Sequence, residues 1–231
     1  MSENPVDYQG YFKNHVKAGF DLESVKKEAQ FVESQLRLVS HLIGLSDLGA
    51  QSVLEVGSGL GRLYYLLTRD YGLKKYQGIE IDEQAAQFTN SAFGPHFLCQ
   101  SLRELSASQA VFDQAWAFEV FEHLEDPVAS LSQLFGLLKP GGLLVASSPY
   151  PYKMNILSDK THLFVLHPQN WKRLLEKAGF EVLCLRPMTF LPYLWRIHPR
   201  LNAVLPFYFG GVDWLSFNLV STTLMIAKKP A

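Results

Sequence analysis

Three glycines at alternate positions, Gly57, Gly59 and Gly61, stand between a short apolar run and a segment that turns apolar again at helical spacing. Val53, Leu54 and Val56 suit a strand buried on both faces of a parallel sheet, and Leu63, Leu66 and Leu67 suit the inner stripe of a helix. A strand that turns into a helix through residues without β-carbons lets a ligand lie against the main chain and lets the helix pack close to the strand. The spacing narrows the ligand. A pyrophosphate-binding turn reads G-x-G-x-x-G, which puts its third glycine at position 62, where this chain has Arg62. Glu55, two residues before the first glycine, sits badly beside a diphosphate but suits a sulfonium or an ammonium group. Glu80 closes the next apolar run, about 20 residues after the turn, where ribose hydroxyls are usually bound. A nucleoside that also carries positive charge describes S-adenosylmethionine.

The run Glu55-Val56-Gly57-Ser58-Gly59-Leu60-Gly61, followed by Gly78-Ile79-Glu80-Ile81-Asp82, resembles the class I S-adenosylmethionine-dependent methyltransferases. Two further stretches agree in order. Phe112 to Phe118, continuing into Glu122-His123-Leu124-Glu125-Asp126-Pro127, resembles that family's fourth strand and the turn after it, and Leu137-Leu138-Lys139-Pro140-Gly141-Gly142 resembles the turn before its fifth strand. Four motifs in the right order over residues 50–185 are far more specific than a lone glycine loop. The resemblance implies an α/β fold: a doubly wound, mostly parallel seven-stranded sheet with an antiparallel last strand. It implies cofactor contacts from Glu55, Gly57, Gly59, Gly61, Glu80, Ile81, Ser101, Leu102 and Phe118. Ser101 and Leu102 depart from the pattern, because an acidic residue commonly meets the adenine amino group near that place; a serine hydroxyl or a backbone amide can serve instead.

Glu119-Val120-Phe121-Glu122-His123 is similar to the E-x-x-E-H run of ubiquinone-biosynthesis O-methyltransferases and small-RNA 3′-terminal methyltransferases, and Thr161-His162 to a downstream T-H of those families. Two carboxylates and an imidazole can bind magnesium, manganese or zinc beside an acceptor oxygen. An imidazole alone can act as a base or orient the acceptor. The reading adopted is the second: no metal, and His123 as the catalytic group towards an oxygen acceptor.

These residues need a scaffold, and the rest of the chain supplies one. The 231 residues suit a single methyltransferase domain: an N-terminal cover and helix over 1–48, a cofactor-binding core over 49–185, a substrate-side insertion over 186–218 and a last strand over 219–231. Leu22, Val25, Ala29, Val32, Leu36, Val39 and Ile43 place one apolar stripe along a helix opened by Asp21 and ended by Gly44. Helices are expected over 61–70, 82–93, 127–138 and from Pro168 to a stop at Gly179. Strands are expected over 76–81, 97–100, 112–118, 143–147, 180–185 and 219–227. Residues 149–167 are too turn-rich for a regular element and follow a strand's carboxyl end, which makes them a natural substrate lid.

Residues 186–218 combine four prolines with aromatic residues that include Tyr193 and Trp195. With Tyr152 these form an expected apolar wall for a small, flat or prenylated acceptor. Prolines, glycines and Asp213 interrupt the apolar run, so no stable membrane span is expected. A net charge of −1 without a long basic cluster argues against a nucleic-acid partner. The N-terminus lacks a basic-then-apolar pattern, which suggests a cytoplasmic protein. Cys99 and Cys184 lie in apolar runs and read as buried, reduced residues. A catalyst of methyl transfer and a non-catalytic binder of the same nucleoside both fit these features, while a hydride-transfer enzyme is opposed by Arg62.

Overall fold

The computed structural model describes residues 8–13, 19–105, 110–151, 159–188 and 222–231. Its framework is one seven-stranded sheet in the order β3-β2-β1-β4-β5-β7-β6. The strands are β1 Ser52–Val56, β2 Lys75–Glu80, β3 Phe97–Cys99, β4 Phe112–Phe118, β5 Leu138–Pro149, β6 Glu181–Met188 and β7 Thr222–Lys228. β1 pairs in parallel with β2 and β4, β2 with β3, and β4 with β5. β7 runs antiparallel to both β5 and β6. The helices are α1 Leu22–Ile43, α2 Arg62–Tyr71, α3 Glu83–Phe93, α4 Pro127–Leu137 and α5 Pro168–Lys177. The sheet expected from the sequence is therefore present, including its reversed last strand.

Alternation along the strands splits the core in two. Leu54, Val56, Ala115 and Ala117 pack with Leu131 and Leu134 of α4 and Trp171 of α5 on one face. Val53, Trp116 and Val145 pack with Leu36 of α1 and Leu66 of α2 on the other. α1 keeps the bounds its stripe predicts: the Asp21 carboxylate accepts from the Ser24 amide, and Gly44 closes the helix in the left-handed region. Gly179, at φ +99, follows α5 as expected.

Two expectations need correction. The Lys139-Pro140-Gly141-Gly142 stretch is not a turn ahead of a short strand but part of β5, which starts at Leu138 and shifts register against β4 between Phe112 and Gln114. Gly142 makes this irregularity fit, since a β-carbon there would lie 2.9 Å from the Lys139 carbonyl oxygen and 3.1 Å from that of Asp113. Cys99 is exposed rather than buried, because β3 is a three-residue edge strand that turns only Phe97 inward. Cys184 is half-buried, and both thiols are free.

Candidate active site

All the parallel strands end at one edge, and a cavity of about 810 Å³ opens there. This lies within the roughly 300–1,000 Å³ range of small-molecule sites, at the edge where doubly wound sheets bind ligands. Of the ten residues singled out from the sequence, nine line it: Glu55, Gly57, Gly59, Glu80, Ile81, Ser101, Leu102, Phe118 and His123. Gly61 does not. It stands behind the wall at φ +74, and a β-carbon on it would lie 2.9 Å from the Phe93 ring. Its absent side chain serves the close packing of α2, not the ligand.

The other two glycines also make room for protein atoms. A β-carbon at Gly57 would lie 2.6 Å from Val120, and one at Gly59 would lie 2.8 Å from the Phe12 ring. Both have positive φ, so the loop shape itself demands glycine. Gly57 and Ser58 both donate their amides to the Ile79 carbonyl, which ties the loop to β2. Glu80 adds a second tie: its Oε2 accepts from the Gly59 amide at 2.8 Å and its Oε1 from the Asp82 amide at 2.9 Å. A carboxylate offers about four lone-pair sites, so these ties leave it able to accept further hydrogen bonds.

Glu55 lies at the cavity floor, buried, and accepts a 2.5 Å hydrogen bond from the Tyr76 hydroxyl. Burial pushes its carboxyl up to about 8; the Tyr76 bond opposes the rise and nearby Glu80 adds to it. Burial likewise raises the Glu80 carboxyl. Two crowded acids at the floor of one cavity are suited to a ligand cation.

At the far end, β4 gives way to Glu119, whose φ of +53 is the left-handed conformation that non-glycine residues rarely adopt. Its Oε1 accepts from the hydroxyls of Ser147 and Thr222, each at 2.6 Å. A 3-10 turn, Phe121–His123, follows. The Glu122 side chain is wholly buried, and neither oxygen has a hydrogen-bond partner within the described structure. Burial, then Glu119, holds its carboxyl well above the usual range. The His123 ring centre lies 4.9 Å from that of His162.

Glu122, His123 and His162 could hold a metal ion, their nearest ligand atoms lying within 4.8 Å of one another. Of the four residues weighed from the sequence, Glu122, His123 and His162 form this group, while Glu119 Oε1 is engaged by the Ser147 and Thr222 hydroxyls.

Segments without regular structure finish the site. The expected lid contributes residues 159–167, fastened where the Leu163 and Phe164 amides donate to the Glu122 carbonyl. Residues 8–12 form the cover. The Tyr8 hydroxyl donates to the His123 carbonyl, Gln9 Nε2 to the Ile81 carbonyl and the Tyr11 hydroxyl to Asp159. Desolvation against this surface pushes the Tyr8 phenol up to about 12, with Asp159 next in effect. The sequence marked these tyrosines only as cover; nothing in their spacing told that they reach His123. Tyr152, Tyr193 and Trp195 lie outside the described residues. Among the described residues no helix is long and apolar enough to cross a membrane.

Comparison with known proteins agrees with this geometry. A family model described as a methyltransferase domain matches residues 26–185. The chain belongs to this family, the class I S-adenosylmethionine-dependent methyltransferases, and S-adenosylmethionine is the cofactor that membership implies. The 2-methyl-6-phytyl-1,4-hydroquinone methyltransferase of Synechocystis is 30% identical over 146 residues, covering 59% of this chain and 45% of that protein. A ubiquinone biosynthesis O-methyltransferase of Neisseria meningitidis is 26% identical over 163 residues, covering 64% of this chain and 67% of its own length. The chain thus spans about half to two thirds of the curated relatives it matches. Among solved structures, a SAM-dependent methyltransferase from Archaeoglobus fulgidus superposes with a TM-score of 0.63 at 20% identity, covering 85% of this chain and 94% of that one. The [4+2]-cyclase SpnF superposes at 0.61 and 21%, covering 84% and 81%. A methyltransferase and a cyclase on one fold mean that the fold alone does not choose the chemistry.

Proposed function

We propose that this chain transfers a methyl group from S-adenosylmethionine to an oxygen of a small, lipophilic acceptor, with His123 orienting the acceptor. The observation that carries the reading is the placement of His123 in the same cavity as the glycine loop, Glu55 and Glu80, at the opposite end and under Tyr8. In this arrangement Glu80 receives the ribose diol, Glu55 faces the cationic part of the cofactor, and Ile81, Ser101, Leu102 and Phe118 bound the nucleoside. Methyl transfer from a sulfonium is an in-line displacement whose leaving group departs neutral. Holding the acceptor oxygen at attack distance with its lone pair aligned therefore supplies much of the rate. The relatives, a phytyl hydroquinone methyltransferase and a ubiquinone biosynthesis O-methyltransferase, favour a prenylated phenol or quinol as the acceptor class. The aromatic residues Tyr152, Tyr193 and Trp195 suit such a tail by composition.

The test is release of S-adenosylhomocysteine with prenylated hydroquinones and catechols. His123→Ala should lower turnover by about a hundredfold or more, the usual share of a positioned acid–base group, while cofactor affinity by calorimetry stays unchanged. The Glu122, His123 and His162 cluster favours a second reading, in which a divalent cation lowers the acceptor's pKa. Chelators should leave wild-type activity intact; activity abolished by chelation and restored by magnesium or manganese would establish the second reading instead.

A further inference from the structure

We infer that Asp159 and Thr161 are positioning residues that fix His123 as the Nδ1–H tautomer, leaving the ring's lone pair on Nε2. The inference rests on the proposed role of His123 towards the acceptor. It follows from which groups can give up a proton. Asp159 Oδ1 accepts from the Thr161 amide at 2.8 Å and from the Thr161 hydroxyl at 2.6 Å. A carboxylate has no proton to return, so the hydroxyl hydrogen is committed to Asp159. The remaining lone pairs of Thr161 Oγ1 lie 2.9 Å from His123 Nδ1. Lone pair against lone pair would repel, so Nδ1 carries the hydrogen. The Thr161 carbonyl oxygen gives the same answer independently: it lies 3.2 Å from Nδ1 and can only accept.

The surroundings hold this arrangement in place. The Tyr11 hydroxyl donates to Asp159 Oδ2 at 3.3 Å, and the Leu163 and Phe164 amides fasten the following residues to the Glu122 carbonyl. Nε2 is the ring nitrogen on the Glu122 side, 3.8 Å from Oε1. With one nitrogen engaged as donor, the other is the acceptor. An acceptor hydroxyl that donates to Nε2 turns an oxygen lone pair towards the methyl group. The oxygen–carbon bond then forms as the carbon–sulfur bond breaks, the bonding pair leaves on sulfur, and the hydroxyl proton passes to Nε2. The resulting imidazolium keeps its Nδ1–H on Thr161, whose hydroxyl in turn rests on Asp159. The opposite tautomer would present N–H to the acceptor oxygen and could take no proton from it.

Long-range nitrogen–proton NMR of the full chain, labelled at histidine in mildly alkaline buffer, reads the tautomer without any acceptor. His123→Ala assigns the resonance. The expected result is a pyrrole-like Nδ1 and a pyridine-like Nε2 in the wild type, retained in Thr161→Ser. In Thr161→Val and Asp159→Asn both nitrogens should move towards intermediate shifts, while calorimetry with S-adenosylmethionine shows unchanged binding. A wild-type ring protonated on Nε2, or on both nitrogens, would overturn the assignment and leave methyl transfer itself untouched. An unshifted Thr161→Val spectrum would overturn the role of Thr161. If Thr161→Val fails to fold, the wild-type and Asp159→Asn spectra decide.

Discussion

Burial holds the carboxyl of Glu55, which lines the cavity, at about 8, so a cation placed beside it would change its proton occupancy. Its ordinary value is 4.5, so the folded state binds the proton more tightly than the unfolded chain. The stabilisation from that proton is complete below about 4.5 and is lost as pH rises through about 8. Unfolding of the cofactor-free protein should therefore become easier across this window, and Glu55→Gln should flatten that part of the dependence. A ligand cation beside Glu55 pulls its pKa down, so binding S-adenosylmethionine near neutral pH should release a proton. Calorimetry in buffers of differing ionisation enthalpy measures it, and a Glu55→Gln variant that still releases the proton would move the source elsewhere. Glu80→Ala removes charge-assisted bonds to the ribose and should weaken cofactor binding by about 2 to 4 kcal/mol; an unchanged dissociation constant would take Glu80 out of the site. Gly61 falls behind the wall, whereas the convergence of Glu55, Glu80, Gly57 and Gly59 on one cavity was legible in the sequence because it follows from local spacing. The left-handed Glu119 was not, since contacts with Ser147 and Thr222, distant in sequence, hold it there. The Asp159–Thr161 pair left a fainter trace, an acidic residue two positions before a threonine, the spacing of a side-chain turn.

Among the elements, α1 to α5 and the strands followed from periodicity and caps, with ends displaced by a few residues. β5 was misread because Pro140, Gly141 and Gly142 have turn composition, while pairing with β4 and β7 overrides that preference. The least legible stretch is the N-terminal cover. Residues 8–12 have no period, yet they touch both ends of the cavity: Gln9 bridges the Ile81 carbonyl and the Glu83 amide, and the Phe12 ring covers Gly59. This cover stands against the glycine loop, where it can gate exchange of the cofactor. Gln9→Ala combined with Phe12→Ala should speed dissociation of S-adenosylhomocysteine on the order of tenfold, as expected from loss of about two hydrogen bonds and a ring contact. Stopped-flow release measures it, and an unchanged rate would mean that the cover lies off the exit path.

Across the whole molecule, the sheet gathers every parallel strand's carboxyl end at one edge, which is why cofactor loop, His123 turn and lid meet although they are spread over more than a hundred residues. The same sheet fixes what happens between β6 and β7. Met188 and Thr222 are register partners, and Thr222 both lines the cavity and donates to Glu119. Met188 and Thr222, which bracket residues 189–221 in the sequence, therefore stand side by side on neighbouring strands. Closing a chain excursion costs only about 0.6 kcal/mol more for each doubling of its length. A chain that leaves the sheet at Met188 and returns at Thr222 can therefore change in length at little cost to the pairing of β6 with β7. The Met188–Thr222 pair is thus a natural cassette boundary: an exchange made there alters what lies between the two positions and leaves the paired strands as they are.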